Sequence, residues 1–261
     1  MITKEYRRFV EFCDACRRHH YIGLCYGPPG VGKTLSARQY AQWDLIESLE
    51  IYYGKSEPPP PEVLPCRTVF YTPSVANSPR MVNRELYTLR RQLSCLVAQA
   101  SVTQPQLDDF NPFDAPDCTE LILVDEADRL KMAGVEHLRD VYDRGRFGLV
   151  LIGMPGIEKR LARYAQLYSR IGFVHQFRPL RAEELRFLLE HQWSQLGFTF
   201  TPQDFTDVEA IATIIRITGG NFRLLQRLCI QIERILEINE LQTVTKEVIE
   251  AARESLVIGS L

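Results

Sequence analysis

Eight consecutive residues combine glycines, a lysine and a hydroxyl at a spacing that suits the binding of a triphosphate. The stretch Gly27-Pro28-Pro29-Gly30-Val31-Gly32-Lys33-Thr34 fits the phosphate-binding pattern G-x-x-x-x-G-K-[ST] and is called the P-loop below. Its glycines permit the positive φ angles and the close approach that wrapping an anion requires. Lys33 supplies a positive charge for the β- and γ-phosphates, and the Thr34 hydroxyl is a ligand for Mg²⁺. We therefore expect residues 27–35, including Leu35, to bind ATP together with Mg²⁺.

Two carboxylates follow a second apolar stretch and could complete such a site. Residues 121–124 are four aliphatic side chains in a row, typical of a strand buried on both faces of a parallel sheet. Asp125 and Glu126 come directly after them, where the carboxyl ends of parallel strands bind ligands. Asp125 is predicted to hold Mg²⁺, mostly through water, and Glu126 to activate the attacking water as general base. The alternative is that both acids cap a helix that begins at residue 127.

The elements that must position these groups alternate between strands and helices. Residues 21–26 before the P-loop are predicted as a buried strand and residues 34–44 after it as a helix, which is the arrangement that this motif requires. Further apolar strands are predicted at 68–71, 121–126, 148–153 and 173–177. The pattern predicts an α/β fold with a five-stranded parallel sheet.

From Arg181 onward the pattern indicates helices only, which predicts a small all-α domain after the sheet. Its helices are expected over residues 181–196, from a Thr201 cap to Thr218, over 222–239 behind an Asn221 cap, and behind a Thr245 cap. The predicted domains are an N-terminal helix at 1–20, a core at 21–179 and the helical domain at 180–261, called the lid below.

The N-terminal helix, expected over residues 3–20, carries a pattern that looks like half of a zinc site. Cys13 and Cys16 precede His19 and His20, but no second pair of cysteine or histidine residues stands at a suitable distance. Reduced cysteines also serve as small apolar residues. We therefore favour a buried helix face over a metal site.

The overall composition limits which binding partners and which cellular compartment are expected. A formal net charge of −2 over 261 residues is not that of a general nucleic-acid binder, so any such site must be a local patch. No apolar run approaches the ~18 residues of a membrane span, so no membrane partner is expected. The seven cysteines are scattered and no export signal opens the chain, which favours the cytoplasm.

One local patch is a candidate for phosphate contacts. In a helix predicted over residues 79–98, Arg80, Arg84 and Arg91 lie within about 40° of one another, opposite a stripe of leucines. Two interpretations stay open at this point. The arginines form either an ordinary solvated face or a basic ridge that contacts nucleic-acid phosphates.

Together, the P-loop, the later Asp-Glu strand and the C-terminal helices resemble the AAA+ ATPases over almost the whole chain. Residues 27–34 are similar to the Walker A motif of that family and residues 121–126 to its Walker B motif. The resemblance implies a P-loop AAA+ core with a five-stranded parallel sheet, followed by a small helical lid. It also implies ATP and Mg²⁺ as cofactors, and hydrolysis of ATP to ADP and phosphate.

The same resemblance assigns roles to three arginines. Residues 219–223 resemble the sensor 2 element of the lid, which implies that Arg223 contacts ATP. Arg170, just before the last strand, resembles the arginine finger that completes the ATP site of a neighbouring subunit. Arg163 is the alternative finger. If the finger acts in trans, hydrolysis requires an oligomer.

One position departs from the AAA+ pattern. Family members place Asn, Thr or Ser at the end of the fourth strand, the sensor 1 position, where this sequence has Met154. A thioether is a poor hydrogen-bonding partner for water or phosphate. We therefore expect slow hydrolysis, or an attacking water that is oriented by another group.

Within AAA+ the sequence resembles transposition regulators of the Mu B, TniB and TnsC type. The likeness lies in residues 123–130, 151–156 and 167–173. It implies an ATP-dependent ring or helical filament of identical subunits on duplex DNA, in which Arg80 and Arg84 follow the phosphates. A transposase, and possible target-selection factors, are the implied protein partners. DNA binding would be salt-sensitive and nearly independent of sequence.

Two other functions stay open. A helicase loader of the DnaC or IstB kind would share the ATPase core, bind a helicase and prefer single-stranded DNA. A signalling or scaffold NTPase would bind protein partners only, without DNA.

Overall fold

The computed structural model describes residues 3–49, 58–102, 111, 114–195 and 204–256. Its centre is a sheet of five parallel strands in the order β2-β3-β4-β1-β5. The strands are β1 Ile22–Tyr26, β2 Thr68–Tyr71, β3 Leu121–Val124, β4 Gly148–Gly153 and β5 Ile171–Gln176. The predicted α/β class with a five-stranded parallel sheet is confirmed.

The strand order brings the P-loop and the two carboxylates to one edge of the sheet. Tyr26 at the end of β1 lies opposite Gly153 at the end of β4, and Val124 at the end of β3 lies opposite Leu151. The segments after these three strands therefore leave the sheet side by side, at the edge where parallel sheets bind ligands. β3 and β4 are buried along their whole length, which explains their continuous apolar sequences.

Helices precede and connect the strands. They are α1 Lys4–His19, α2 Lys33–Ala41, α3 Trp43–Ser48, α4 Pro79–Ser101, α5 Met132–Arg144, α6 Ile157–Leu161 and α7 Ala165–Tyr168. The single helix predicted over residues 34–44 is wrong, since Gln42 adopts a left-handed conformation (φ 50°) and ends α2. Its N–H bonds to the carbonyls of Arg38 and Gln39, and α3 starts at the next residue.

The N-terminal helix α1 buries the cysteine face that resembles half a zinc site. Cys13 and Cys16 are fully buried, and a Cβ built on Gly23 of β1 would lie 2.4 Å from the Cys16 Sγ. Burial raises the pKa of the Cys16 thiol to about 12. Cys13 and Cys16 both belong to the main cluster of buried apolar side chains, as in the buried helix face that the sequence favoured.

The helices after residue 180 pack around a second apolar cluster. They are α8 Ala182–Gln195, α9 Phe205–Thr218, α10 Phe222–Ile238 and α11 Lys246–Glu254. One cluster of buried apolar side chains ends at Phe177 and the other begins at Leu180. The predicted domain boundary near Pro179 falls between them. None of the helices that the structure describes is both long and apolar enough to cross a membrane.

Side-chain caps fix the starts of the lid helices. Asn221 and Thr245 each accept a hydrogen bond from the backbone N–H three residues further on, as expected of N-caps. Helix α9 begins behind Asp204, whose carboxylate accepts from the second following N–H. The predicted cap at Thr201 lies outside the described residues.

Candidate nucleotide-binding site

The P-loop connects β1 to α2 in a conformation that depends on its glycines. Gly30 and Gly32 have φ angles of +77° and +100°, a region that disfavours any side chain. At Gly27 the constraint is space, because a Cβ there would lie 2.2 Å from the carbonyl oxygen of Phe177. The three glycines of the motif are therefore each required for this path of the backbone.

The ammonium group of Lys33 turns back into the P-loop. Its Nζ donates hydrogen bonds to the carbonyl oxygens of Gly27 (2.6 Å) and Pro28 (2.8 Å) and lies 3.9 Å from the Met154 Sδ. Burial lowers the pKa of Lys33 from its ordinary value. The charge thus sits at the start of α2, where the helix N-terminus and the loop N–H groups also favour an anion.

Thr34 and Asp125 are brought into direct contact from different parts of the sheet. The Thr34 Oγ1 donates to the Asp125 Oδ2 at 2.6 Å, and the Glu126 N–H donates to the other carboxylate oxygen at 2.9 Å. Asp125 is only 3% exposed, and burial raises its pKa although both hydrogen bonds act in the opposite direction. A hydroxyl and a carboxylate side by side are oxygen donors that Mg²⁺ prefers. The pair therefore fits the metal-binding role predicted for it.

Glu126 follows Asp125 in an unusual backbone conformation. Its φ of 49° is in the left-handed region, and its side chain makes no capping hydrogen bond to the short helix Ala127–Arg129. The alternative of a capping acid therefore does not apply to Glu126. Its carboxylate is exposed and forms an ion pair with Arg129.

These groups line one cleft of about 470 Å³, called the nucleotide cleft below. Most of the residues that the sequence assigned to nucleotide binding line this cleft. They are Pro29, Gly30, Gly32, Lys33, Thr34, Leu35, Asp125, Glu126 and Arg223. Gly27 and Pro28 instead supply the carbonyls that bind Lys33. Val31 is buried in the apolar core, so only its backbone is available to a phosphate.

Sequence reasoning missed several side chains of the cleft. Arg38, Asp128, Arg129, Phe222 and Gln226 also line it. Their spacing carried a signal, because Asp128 and Arg129 follow the Asp-Glu pair within three residues. Gln226 likewise lies one helical turn after Arg223, on the same face of α10.

The start of the lid helix α10 contacts the P-loop directly. The Arg223 N–H donates to the carbonyl of Gly30 at 3.0 Å, and the Asn221 amide donates to the carbonyl of Pro29 at 3.3 Å. A Cβ on Gly30 would lie 2.2 Å from the Asn221 Oδ1. The Arg223 side chain is exposed at the cleft and makes no hydrogen bond or ion pair with the described residues.

The two candidate arginine fingers lie outside the nucleotide cleft of their own chain. Arg170 donates to both carboxylate oxygens of Asp143, at 2.7 and 3.0 Å, and to the carbonyl of Gln166. Arg163 is exposed, and within the described part of the chain its side chain makes no hydrogen bond or ion pair. Neither residue is among those that line the nucleotide cleft of the same chain.

The predicted ridge of arginines on α4 divides into two parts. Arg80 and Arg84 are exposed and make no side-chain hydrogen bond or ion pair with the described residues. Arg91 is half-buried, and its guanidinium donates to the carbonyl of Ala115 at 2.7 Å. The expectation that Arg91 shares their open face is wrong, because the segment around residue 115 covers that part of the helix.

Comparison with known proteins identifies the family. The AAA domain family matches residues 16–161 of the chain. A Staphylococcus aureus protein described as a potential ATP-binding protein is 47% identical over 261 residues, which is 98% of this chain and 96% of the relative. The chain therefore belongs to the AAA family of P-loop ATPases, as its motifs predicted. The transposition-regulator subtype stays a prediction.

Solved structures agree on the fold. The RuvB Holliday junction branch migration motor of Thermotoga maritima matches with a TM-score of 0.62 and 17% identity, over 99% of this chain and 71% of that one. The ORC2 protein of Aeropyrum pernix matches with a TM-score of 0.61 and 13% identity, over 99% and 70%. At these identities the likeness concerns the fold alone.

Proposed function

We propose that this protein binds ATP with Mg²⁺ in the nucleotide cleft and hydrolyses it to ADP and phosphate. The observation that carries the proposal is the convergence of Lys33, the hydrogen-bonded pair Thr34–Asp125 and Glu126 on one cleft. The description of the Staphylococcus aureus relative as a potential ATP-binding protein supports the choice of nucleotide.

Each of these side chains has a separate task in the proposed reaction. Lys33 neutralises the β- and γ-phosphate oxygens, while Thr34 and Asp125 hold Mg²⁺, which withdraws negative charge from the phosphates when it is bound. Glu126 takes one proton from the attacking water. The water oxygen then bonds to the γ-phosphorus, and the bond to the bridging oxygen breaks with its electron pair staying on ADP. The ion pair with Arg129 restrains Glu126, which supports slow turnover in the isolated chain.

We further propose that hydrolysis is completed between two copies of the chain. Arg170 does not line the nucleotide cleft of its own chain, which supports action on a neighbouring subunit and not in cis. Its ion pair with Asp143 would open when the guanidinium enters the neighbour's site. A guanidinium that enters the neighbour's site would stabilise the charge of the transition state. ATP would then favour a ring or helical filament.

Duplex DNA is the proposed partner of the exposed arginines on α4. Arg80 and Arg84 are one helical turn apart, exposed and unpaired within the described residues, which favours phosphate contacts over an internal role. Two proteins of similar fold are a Holliday junction branch migration motor and an origin recognition complex of Drosophila bound to DNA. The proposed function is thus ATP-dependent, sequence-independent DNA binding.

The most specific function that we propose is the regulation of transposition. It rests on the sequence resemblance to the Mu B, TniB and TnsC type, and it makes a transposase the protein that the DNA-bound oligomer recruits. Hydrolysis would release the oligomer from DNA. We expect Glu126→Gln to bind ATP, to lose turnover and to stay on DNA, whereas normal DNA release by this variant would contradict the scheme.

The ATP site is tested by nucleotide binding and turnover in three proteins. Wild type should bind and hydrolyse ATP, Lys33→Ala should lose both activities, and Glu126→Gln should lose hydrolysis only. Unchanged turnover in Glu126→Gln would remove Glu126 as general base. No nucleotide binding by the wild type would overturn the proposed function as a whole.

DNA binding is tested with a slowly hydrolysed ATP analogue over a series of salt concentrations, with electron microscopy of the mixtures. Nucleotide-dependent binding of duplex DNA in rings or filaments would support the transposition proposal. A preference for single strands would favour the helicase loader. No DNA binding at low salt, with turnover intact, would favour the scaffold NTPase.

A further inference from the structure

Asp128 occupies the space beside the end of β4, where the AAA+ pattern places a polar side chain. A Cβ built on Gly153 would lie 2.5 Å from the Asp128 Oδ2, so the carboxylate fits there only because residue 153 is glycine. The same oxygen accepts a hydrogen bond from the Met154 N–H at 2.7 Å. The polar group at this end of the strand is therefore the carboxylate of Asp128.

The backbone around Asp128 is fixed by several contacts. The residue lies in the short helix Ala127–Arg129, which begins directly after Glu126. Arg160 donates one hydrogen bond to the carbonyl of Asp128 at 2.7 Å and another to the carbonyl of Leu130. The Asp128 side chain is thus held in place before any ligand binds, as a positioning group requires.

The two oxygens of this carboxylate differ in their hydrogen bonding within the described part of the chain. The Oδ2 is occupied by Met154, but the Oδ1 makes no hydrogen bond with the residues that the structure describes. Asp128 lines the nucleotide cleft together with Lys33 and Glu126. A second carboxylate therefore adjoins the space where Glu126 would activate water.

Met154 itself cannot supply this function. Its thioether has no hydrogen to donate and is a weak acceptor, and it lies 3.9 Å from the Lys33 Nζ. Its backbone N–H is already used by Asp128. The side chain contributes apolar contact to the cleft, and the polar role falls to its neighbour in space.

We propose that Asp128 positions the attacking water of ATP hydrolysis, in place of the side chain that Met154 lacks. This inference rests on the proposed function. Glu126 accepts one O–H of the water and takes that proton, while the Asp128 Oδ1 accepts the other O–H and takes none. A lone pair of the water then points to the γ-phosphorus, the new P–O bond forms, and the bond to the bridging oxygen breaks with its electrons going to ADP.

The decisive variant is Asp128→Asn. The amide oxygen can still accept the Met154 N–H, so the local structure is kept, but an NH₂ group replaces the free acceptor. We expect kcat to fall about tenfold to hundredfold. The KM and the Kd for a slowly hydrolysed ATP analogue should stay within about twofold, because nucleotide binding uses Lys33 and Thr34. The midpoint of thermal unfolding should not change.

Two further proteins complete the experiment. Asp128→Asn/Met154→Asn places an amide at the sensor 1 position and should recover a large part of the lost kcat. Asp140→Asn is the matched control, because Asp140 pairs with Arg144 on α5, and neither lines the nucleotide cleft. It should keep the wild-type kcat.

The outcomes separate this inference from the proposed function. Wild-type kcat in Asp128→Asn, with normal turnover in the wild type, would overturn the role of Asp128 and leave the ATPase proposal standing. A fall in kcat accompanied by an equal loss of nucleotide affinity would assign Asp128 a structural role and also overturn it. Absence of turnover in the wild type would remove both.

Discussion

The backbone N–H of Arg223 donates a hydrogen bond to the carbonyl of Gly30 at 3.0 Å, so the first turn of the lid helix α10 rests on the P-loop. Gly30 has a left-handed φ of +77° and no room for a Cβ beside Asn221. The Asn221 amide adds a second hydrogen bond, to the carbonyl of Pro29 at 3.3 Å. The contact gives a direct physical route between the ATP site and the lid.

Arg223→Ala should weaken ATP binding and slow hydrolysis. The Arg223 guanidinium lines the nucleotide cleft without any partner among the described residues, so its charge is available to the phosphates. We expect the Kd for ATP to rise about tenfold, as for one lost hydrogen bond to a charged group. The backbone contact to Gly30 is unaffected by the substitution, which makes binding measured by calorimetry the suitable readout.

Arg227→Ala is the matched control for that measurement. Arg227 is exposed one turn further along α10 and does not line the nucleotide cleft. An equal rise in the Kd for ATP in both variants would indicate a general effect of the positive charge on the lid and would contradict a contact between Arg223 and ATP.

Asp125→Asn should stabilise the nucleotide-free protein and remove the added stabilisation that Mg²⁺ gives to the ATP-bound protein. Burial raises the pKa of the Asp125 carboxyl, so folding favours the protonated form. The protonated Asp125 carboxyl contributes its full stability below the pKa that it has in the unfolded chain, about 3.9. This stability is lost as the pH rises through the higher pKa of the folded protein. At neutral pH the ionised carboxylate is therefore a cost to the folded protein.

The Asp125→Asn prediction is checked by thermal unfolding at pH 7. The amide can accept the Glu126 N–H and donate to the Thr34 hydroxyl, so both hydrogen bonds are kept and the melting temperature should rise by a few degrees. Addition of Mg²⁺ to the complex with an ATP analogue should raise the melting temperature of the wild type further but not that of the variant, because Lys33 still binds the phosphates while the metal has lost its carboxylate. A variant that melts below the wild type would contradict the argument from burial.

The parts of the site that the sequence revealed are those carried by local spacing. The P-loop requires particular residue types within eight positions, and the four aliphatics before Asp125 indicate a central strand, so both were predicted at their observed places. The left-handed Gln42 that splits the helix after the P-loop has no such signature, because glutamine rarely adopts that conformation. A helix end that depends on the backbone conformation of one residue therefore cannot be predicted from residue types alone.

Contacts between distant segments explain the remaining differences. Helical periodicity places Arg91 at nearly the same angle as Arg80, but it carries no information on the segment near Ala115 that covers it. The same reason hid Asp128, whose side chain fits beside the end of β4 only because residue 153 of that strand is glycine. Sequence patterns specify which face of an element a residue occupies, whereas the tertiary fold decides what lies against that face.

The double variant Arg80→Ala/Arg84→Ala should weaken duplex DNA binding and reduce its salt dependence. Both side chains are exposed on the first turns of α4. Each lost phosphate contact should lower the slope of log K against log salt by about 0.9. Titrations at four or more salt concentrations measure this slope. The control Arg227→Ala should leave it unchanged, and an unaltered slope in the double variant would exclude the α4 ridge as the DNA surface.

Arg170→Ala should abolish most ATP turnover and yet be rescued by a second inactive variant. If Arg170 acts on a neighbouring subunit, Lys33→Ala subunits still supply the arginine to the intact nucleotide clefts of Arg170→Ala subunits. Mixing the two variants in equal amounts should therefore restore activity. If subunits assemble at random, about half of the clefts keep Lys33 and about half of those face a neighbour that keeps Arg170, so activity should reach about a quarter of the wild type. Asp143 keeps its ion pair with Arg139 in the variant, so the local structure should remain.

Arg163→Ala serves as the control and should hydrolyse ATP normally. Turnover that stays absent in the mixture, although gel filtration shows mixed oligomers, would place the catalytic arginine elsewhere.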